Sequence, residues 1–543
     1  MSDKESSVSR PSMSAAFSMS SSGSIGSVVS SNGGGTTSSV ETTSGSAVMV
    51  WMMELRFSTE MECMTVLQSK SIRRGNDLSG RAVKNAIDFV RTEADAIGCE
   101  FKDLFACVDT ENWPFLSDLT VDVTCHIRFL IQECNKHICE PPAHFVQQQE
   151  VVMGECAKLA QRVESVYMST RGKTARVPLI NQLVYLGESF SRFVDLALGL
   201  LVQTIVFGLE LTADVRNLLL AISDVISLGM EGDHMCYILV REGVMQSLFN
   251  ICNMETLLKV RAQALRAIST ICCIPESIQE LEKVGGLECL TDILSDKAQG
   301  EEVRGEAAGV VAQATSPAHE HHLPMVGLID NMNDLLKTLI DLCHTAISNE
   351  VFLLASAAIA NITFMDSNAS DILLYLKAPS VLLQCCLLNK ATTIFAKDQV
   401  ASILANMAVM ESCQAEISRQ NGIDILLNYL HEEPSSFRSA VEIAACERVL
   451  QKAAIALTRL SRDECRAQLI AKSQGIPRLV KLCRNANSRN NSDAVLVACL
   501  AALRKICSVC GNHGVDPKDF KQLIEPRLMD SFLICTHTEE NFV

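Results

Sequence analysis

The stretch Leu353–Thr363, reading LLASAAIANIT, repeats its pattern through the second half of the chain. Ala355, Ala358 and Ala360 are small enough to let one helix approach another closely, while Leu354, Ile359 and Ile362 form an apolar stripe at helical spacing. A near copy, VASILANMAV, places Asn406 where Asn361 stands, 45 residues on. A return distance of this size belongs to helical solenoids, whose units bury their apolar faces only against their neighbours.

Aligned in this way, Ala267, Gln313, Asn361, Asn406, Arg459 and Lys505 fall at equivalent positions, in steps of 46, 48, 45, 53 and 46 residues. The long step contains EEPSSFRSAVE, Glu432 to Glu442, expected as a polar loop between helices. Each unit also has a glycine-containing turn before an apolar helix, at Gly243, Gly286, Gly422 and Gly475. The expected fold class is all-α, an armadillo-like superhelix. The third helix of each unit lines the concave face of such a superhelix, so Gln313, Asn361, Asn406, Arg459 and Lys505 would form a ladder along one groove. Amides there either hold an extended peptide or bond within the array, and both readings stand at this point.

Bulk composition agrees with a long helical array. At 543 residues the chain exceeds one core, 48% of it is hydrophobic, and only 5% is aromatic. The formal charge of −16, with no basic run longer than pairs such as Arg73 and Arg74, argues against nucleic acid as a partner. The 23 cysteines sit in apolar helical runs, as at Cys272, Cys273, Cys385 and Cys386, which points to buried free thiols in a reducing cytosol. No basic stretch followed by an apolar core marks a signal peptide. The most apolar run, Leu196 to Leu209, is short for a bilayer and is interrupted by Gln203 and Thr204, so no direct membrane insertion is expected.

Taken in order, residues 1–46 hold 18 Ser and 6 Gly, a composition that predicts a disordered head. Residues 47–75 read differently. Val48, Trp51, Met52 and Leu55 make one apolar face about two helical turns long, and Glu60 to Leu67 then reads as extended. In an extended segment Glu60 and Glu62 point the same way, roughly 6 to 7 Å apart, a spacing suited to arginines in a partner's groove. So short a helix needs a surface to dock on, either its own domain or another protein. Residues 76–215 are expected as a non-repetitive helical cap, with breakers at Trp113-Pro114, Pro141-Pro142 and Arg171-Gly172. Residues 216–530 hold the repeats, and 531–543 form a tail.

Several motifs suggest chemistry and are discounted. Cys507 and Cys510 followed by His513 have zinc-type spacing but no second CxxC, and Cys507 falls on the apolar side of its helix. His319, Glu320, His321 and His322 between two prolines read as an exposed loop. No phosphate-binding loop, GxSxG or HExxH pattern occurs, so the expectation is a protein that is not an enzyme and carries no cofactor or metal. The end, Asn541-Phe542-Val543, has the apolar residue and carboxylate that PDZ grooves capture, alongside the plain alternative of a frayed terminus.

The string WMMELRFSTEMECMTVLQSK, Trp51 to Lys70, resembles the N-terminal binding segment of the Inscuteable family of asymmetric-division adaptors. ICCIPESIQELEKVGGLECLTDIL, EVFLLASAAIANITF, AACERVLQKAAIALTRLSRD and SDAVLVACLAALRKI agree with that family in the same order. The resemblance runs from Val48 to Val543. It implies that Trp51, Met52 and Leu55, with Met64, Val66 and Leu67, are apolar anchors in the groove of a Pins/LGN-type tetratricopeptide protein, and that Glu60 and Glu62 meet basic groove residues. It further implies that the armadillo part contacts Bazooka, the PDZ-containing scaffold of the Par complex, in a cytoplasmic protein recruited to the apical cell cortex to orient the spindle. Asn541 departs from the Ser that the family tends to carry before Phe-Val, which bears on PDZ binding.

The competing reading is an armadillo peptide carrier or other scaffold unrelated to polarity. A nuclear-transport carrier would need a Trp-Asn ladder and a basic arm. This chain has two tryptophans, Trp51 and Trp113, both before the repeats, and a Ser-rich head.

Overall fold

Four helices, Ala82–Asp109, Trp113–His137, Ala143–Met168 and Arg176–Leu211, pack in a closed ring, each against the next and the last against the first. They belong to a computed structural model that describes residues 82–138, 140–168, 176–211, 214–317, 325–435, 438–511 and 514–536. Trp51 to Leu67, His319 to His322, His513 and Asn541 to Val543 lie outside these residues. Among the described residues there is no β-strand.

Ile87, Leu104, Leu116, Ile127 and Leu130 have no exposed surface and fill the ring, and the Phe145 and Phe193 rings stack with centroids 5.5 Å apart. The apolar run at Leu196–Leu209 is part of a 36-residue helix, longer than its sequence span indicated and long and apolar enough to cross a membrane by length and composition. Packing accounts for part of its apolar character, while Phe207 and Leu211 stay exposed. Leu183, Leu186, Phe193, Leu198 and Val202 are buried where this helix meets the rest of the ring and the first helices beyond it, Val215–Gly229, Asp233–Arg241 and Val244–Asn253.

From Val215 onward the chain stacks long helices side by side: Val215–Gly229, Leu258–Ile271, Glu301–Ala314, Asn349–Met365, Ile394–Met407, Ala440–Leu460 and Asp493–Cys510, each packed on the one before. We call these the rungs. Shorter helices precede most of them, as Glu411–Arg419 and Gly422–Tyr429 precede Ala440–Leu460, which gives the three-helix unit of an armadillo-like solenoid. Small residues permit the stacking: Ala308, Ala355, Ala358, Ala401, Ala453 and Ala502 are all buried. Four consecutive rungs start on a hydroxyl cap, with Ser348, Thr393, Ser439 and Ser492 each accepting from a backbone N–H of the first turn. Glu442 completes a capping box with Ser439.

Two local readings change. In the fifth unit Arg459 lies 19 residues after the start of its rung, against 12 for Asn361 and Asn406. The inserted residues therefore lengthen the helix by two turns and not the loop expected there: Asn406 to the helix start at Ala440 is 34 residues, as is Arg459 to Asp493. The turns differ as well. The left-handed residue is Gly243, then Gly285, Lys377, Asn421 and Gln474, at φ between 56° and 88°, which is one place before the Gly286, Gly422 and Gly475 expected there. At Gly422 and Gly475 glycine serves close approach instead: a Cβ would lie 2.7 Å from the Ile417 carbonyl oxygen and 2.8 Å from that of Ile470.

The stack ends on its own cap. The helix Leu528–Thr536 and a π-helical turn at Phe520–Ile524 pack on the last rung, with Ser531 and Cys535 buried. Arg504 holds them there by donating to the carbonyls of Pro526 and Leu523. The span read as a tail from 531 thus begins in ordered helix.

Candidate functional site

Three of the six aligned rung positions do one thing in common. The Asn361 amide donates to the Ala312 carbonyl at 2.8 Å, the Asn406 amide to the Ala360 carbonyl at 3.4 Å and to Thr363 Oγ1 at 3.1 Å, and the Arg459 guanidinium to the Ala405 carbonyl. Ala312, Ala360 and Ala405 each stand one residue before the equivalent position of the preceding rung. Ala312 and Ala405 lie in the last turn of their helices, where carbonyls lack intrahelical donors: the N–H of Ser316 goes to Gln313, and that of Val409 to Asn406. Asn361 and Arg459 therefore cap the preceding rung's helix end, while Asn406 bonds within the array to an Ala360 carbonyl that already accepts from Thr363. Gln313 is buried at 7% exposure and Ala267 fully, while Asn361, Asn406, Arg459 and Lys505 are half-exposed.

A second set of caps carries no signal in the apolar pattern. Arg304 donates to the Leu294 carbonyl at 2.9 Å, Arg478 to that of Leu430 at 2.6 Å, and Arg489 to those of Leu482 and Cys483 at 3.0 and 3.2 Å. All three guanidiniums are buried and close the C-terminal ends of second helices.

Beneath the ladder the charges are paired. Asp398 is 1% exposed and takes Arg448 Nε at 2.6 Å and Lys452 Nζ at 3.1 Å from the next rung. Burial pushes its carboxyl up, but the two cations outweigh burial and hold it below the usual aspartate range. Glu306 goes the other way, because burial exceeds the effect of its partner Arg266 and raises it. Among the described residues no group of three His, Cys, Asp or Glu side chains gathers as a metal-holding set, and Cys507 packs into the core of the last rung.

Residues 93–543 match the family model described as Protein inscuteable C-terminal, and residues 46–86 match the one described as Inscuteable LGN-binding domain. The chain belongs to the Inscuteable family. Mouse Protein inscuteable homolog is 38% identical over 508 residues, covering 92% of this chain and 87% of the relative. The human homolog is 38% identical over 512 residues with the same coverage. Among solved structures, the designed armadillo repeat protein YIII(Dq)4CqI aligns at a TM-score of 0.38 and 20% identity, over 46% of this chain and 99% of its own, a likeness too loose to add to the rung packing itself. For this Inscuteable-family chain the LGN-binding match contains Trp51, Met52, Leu55, Glu60, Glu62, Met64, Val66 and Leu67. The stack and its ring lie almost wholly inside the C-terminal match.

Proposed function

We propose that this chain is a non-enzymatic adaptor of asymmetric division and spindle orientation. Its segment from Trp51 to Leu67 seats in the tetratricopeptide groove of a Pins/LGN-type protein, with Glu60 and Glu62 on basic groove residues. Its armadillo stack takes a Bazooka-type scaffold of the Par complex along the ladder of Gln313, Asn361, Asn406, Arg459 and Lys505, and cytoplasmic protein is thereby recruited to the apical cortex. Phe542 and Val543 are a secondary PDZ contact in this reading, with Asn541 at the place of the usual hydroxyl residue.

The observation that supports the proposal most is the division of one chain into an LGN-binding match at 46–86 and a self-contained helical stack from Ala82 onward. Two interfaces on one chain raise the effective concentration of one partner at the other without new chemistry. Residue-mapped crosslinking of the chain with both partners tests it. The proposal expects tetratricopeptide links near Lys70 and scaffold links along the repeats; scaffold links confined to residues 1–75 would overturn the division of labour.

A further inference from the structure

Cys236 and Cys273 are 37 residues apart in the chain, and their sulfurs are 3.4 Å apart in space. Cys236 lies on the helix Asp233–Arg241, is fully buried, and sits with its thiol 3.2 Å from the Gly229 carbonyl, to which it donates. Cys273 follows the end of the rung Leu258–Ile271 and is partly exposed, whereas its neighbour Cys272 is fully buried. Cys273 thus keeps some exposed surface, whereas Cys236 keeps none.

The neutral Cys273 thiol donates to the Cys236 sulfur, and a thiolate at Cys273 accepts a hydrogen bond from the Cys236 thiol in its turn. That shared bond draws the Cys273 thiol down and, together with burial, pushes the Cys236 thiol up; Asp233 disfavours both thiolates. A disulfide needs a sulfur separation of about 2.05 Å, so the sulfurs have to close by about 1.4 Å.

We propose that Cys273 and Cys236 form a peroxide-responsive thiol pair that closes to an intramolecular disulfide, tying the first short helix of the first repeat to its own rung. The Cys273 thiolate attacks one oxygen of hydrogen peroxide, the O–O bond breaks, and the sulfur becomes a sulfenic acid as hydroxide leaves and takes up a proton. The Cys236 sulfur then attacks the sulfenic sulfur, the S–O bond breaks, and water leaves as the S–S bond forms. Two thiols and one peroxide give one disulfide and two waters. The bond spans the place where the helical ring gives way to the repeats, since Gly229, beside Cys236, ends the helix Val215–Gly229 that packs on the rung Leu258–Ile271.

The test exposes the full chain to hydrogen peroxide, blocks remaining thiols by alkylation and maps peptides without reduction. The expected result is a linked Cys236–Cys273 peptide that appears before oxidation of the exposed Cys99, Cys125 and Cys465, disappears with dithiothreitol, and accompanies a rise in melting temperature. Cys273→Ser should abolish the link. Cys236→Ser should leave a sulfenic acid on Cys273 that dimedone traps. Oxidation of the exposed cysteines with no linked peptide, or a link that survives in Cys273→Ser, would overturn the assignment.

Discussion

The side chain of Asn361 donates to the backbone carbonyl of Ala312, 49 residues earlier and one rung away, at 2.8 Å. This bond joins two repeats through a carbonyl at a helix end that would otherwise lack a donor. Arg459 repeats the device at Ala405, and Asn406 makes the same rung-to-rung bond to Ala360 inside its helix. These bonds are thus part of what holds neighbouring rungs in register.

Asn361→Ala should destabilise the array by about 1–2 kcal/mol, the cost of leaving a partly buried carbonyl unsatisfied. Urea unfolding followed by circular dichroism reads this as a lower midpoint. If Asn361 served only to hold a bound peptide, the midpoint would not move and scaffold binding alone would weaken.

The turn between the two short helices gives a pair of substitutions with opposite signs. Gly422→Ala places a Cβ 2.5 Å from Ile417 Cγ2 and 2.7 Å from the Ile417 oxygen, and should cost roughly 1–3 kcal/mol. Lys377→Gly relieves a side chain held at φ 56° and should stabilise by less than about 1 kcal/mol, after the entropy of the added glycine is counted. Thermal melting of the two variants separates close approach from turn conformation.

Asp398 carries a pH signature. Its folded carboxyl titrates below the unfolded one, so its contribution is complete above the ordinary aspartate value of about 3.9 and is lost as the pH falls through the depressed folded value. Asp398→Asn should remove that acid-side loss and cost roughly 3–5 kcal/mol at neutral pH, because Arg448 and Lys452 stay buried without their counter-charge. Stability curves of both proteins from pH 3 to 7 check the sign, since a variant whose stability still falls in parallel with the parent would assign the acid transition elsewhere.

Deleting residues 48–70 should leave the helical signal and melting of the array nearly intact, because the ring begins its own packing at Ala86 and Ile87. A collapse of the fold would make that segment part of the core.

The rungs were legible because close helix packing demands small residues at a fixed period, and Ala355, Ala358 and Ala360 declare it. What escaped was set by neighbours distant in sequence. Nothing local distinguishes Asn361 bonded to Ala312 from Asn361 facing a ligand. Arg304 and Arg478 look like surface charges until the helix ends they close are in place. Glycine at 422 and 475 suggested the turn residue, yet Asn421 and Gln474 take the left-handed conformation and the glycines make room for a carbonyl. Apolar spacing and paired glutamates left the segment at 47–75 open between its own domain and a partner; the resemblance pointed to a partner, and residues 46–86 match the LGN-binding family model.

The most direct measurement of the central claim is calorimetric titration of the full chain, and of the Glu60→Lys and Glu62→Lys double variant, with an LGN-type tetratricopeptide domain. The adaptor account predicts tight binding by the parent and a loss of a few kcal/mol, on the order of a hundredfold in affinity, in the variant. Equal affinity of the two proteins would contradict it.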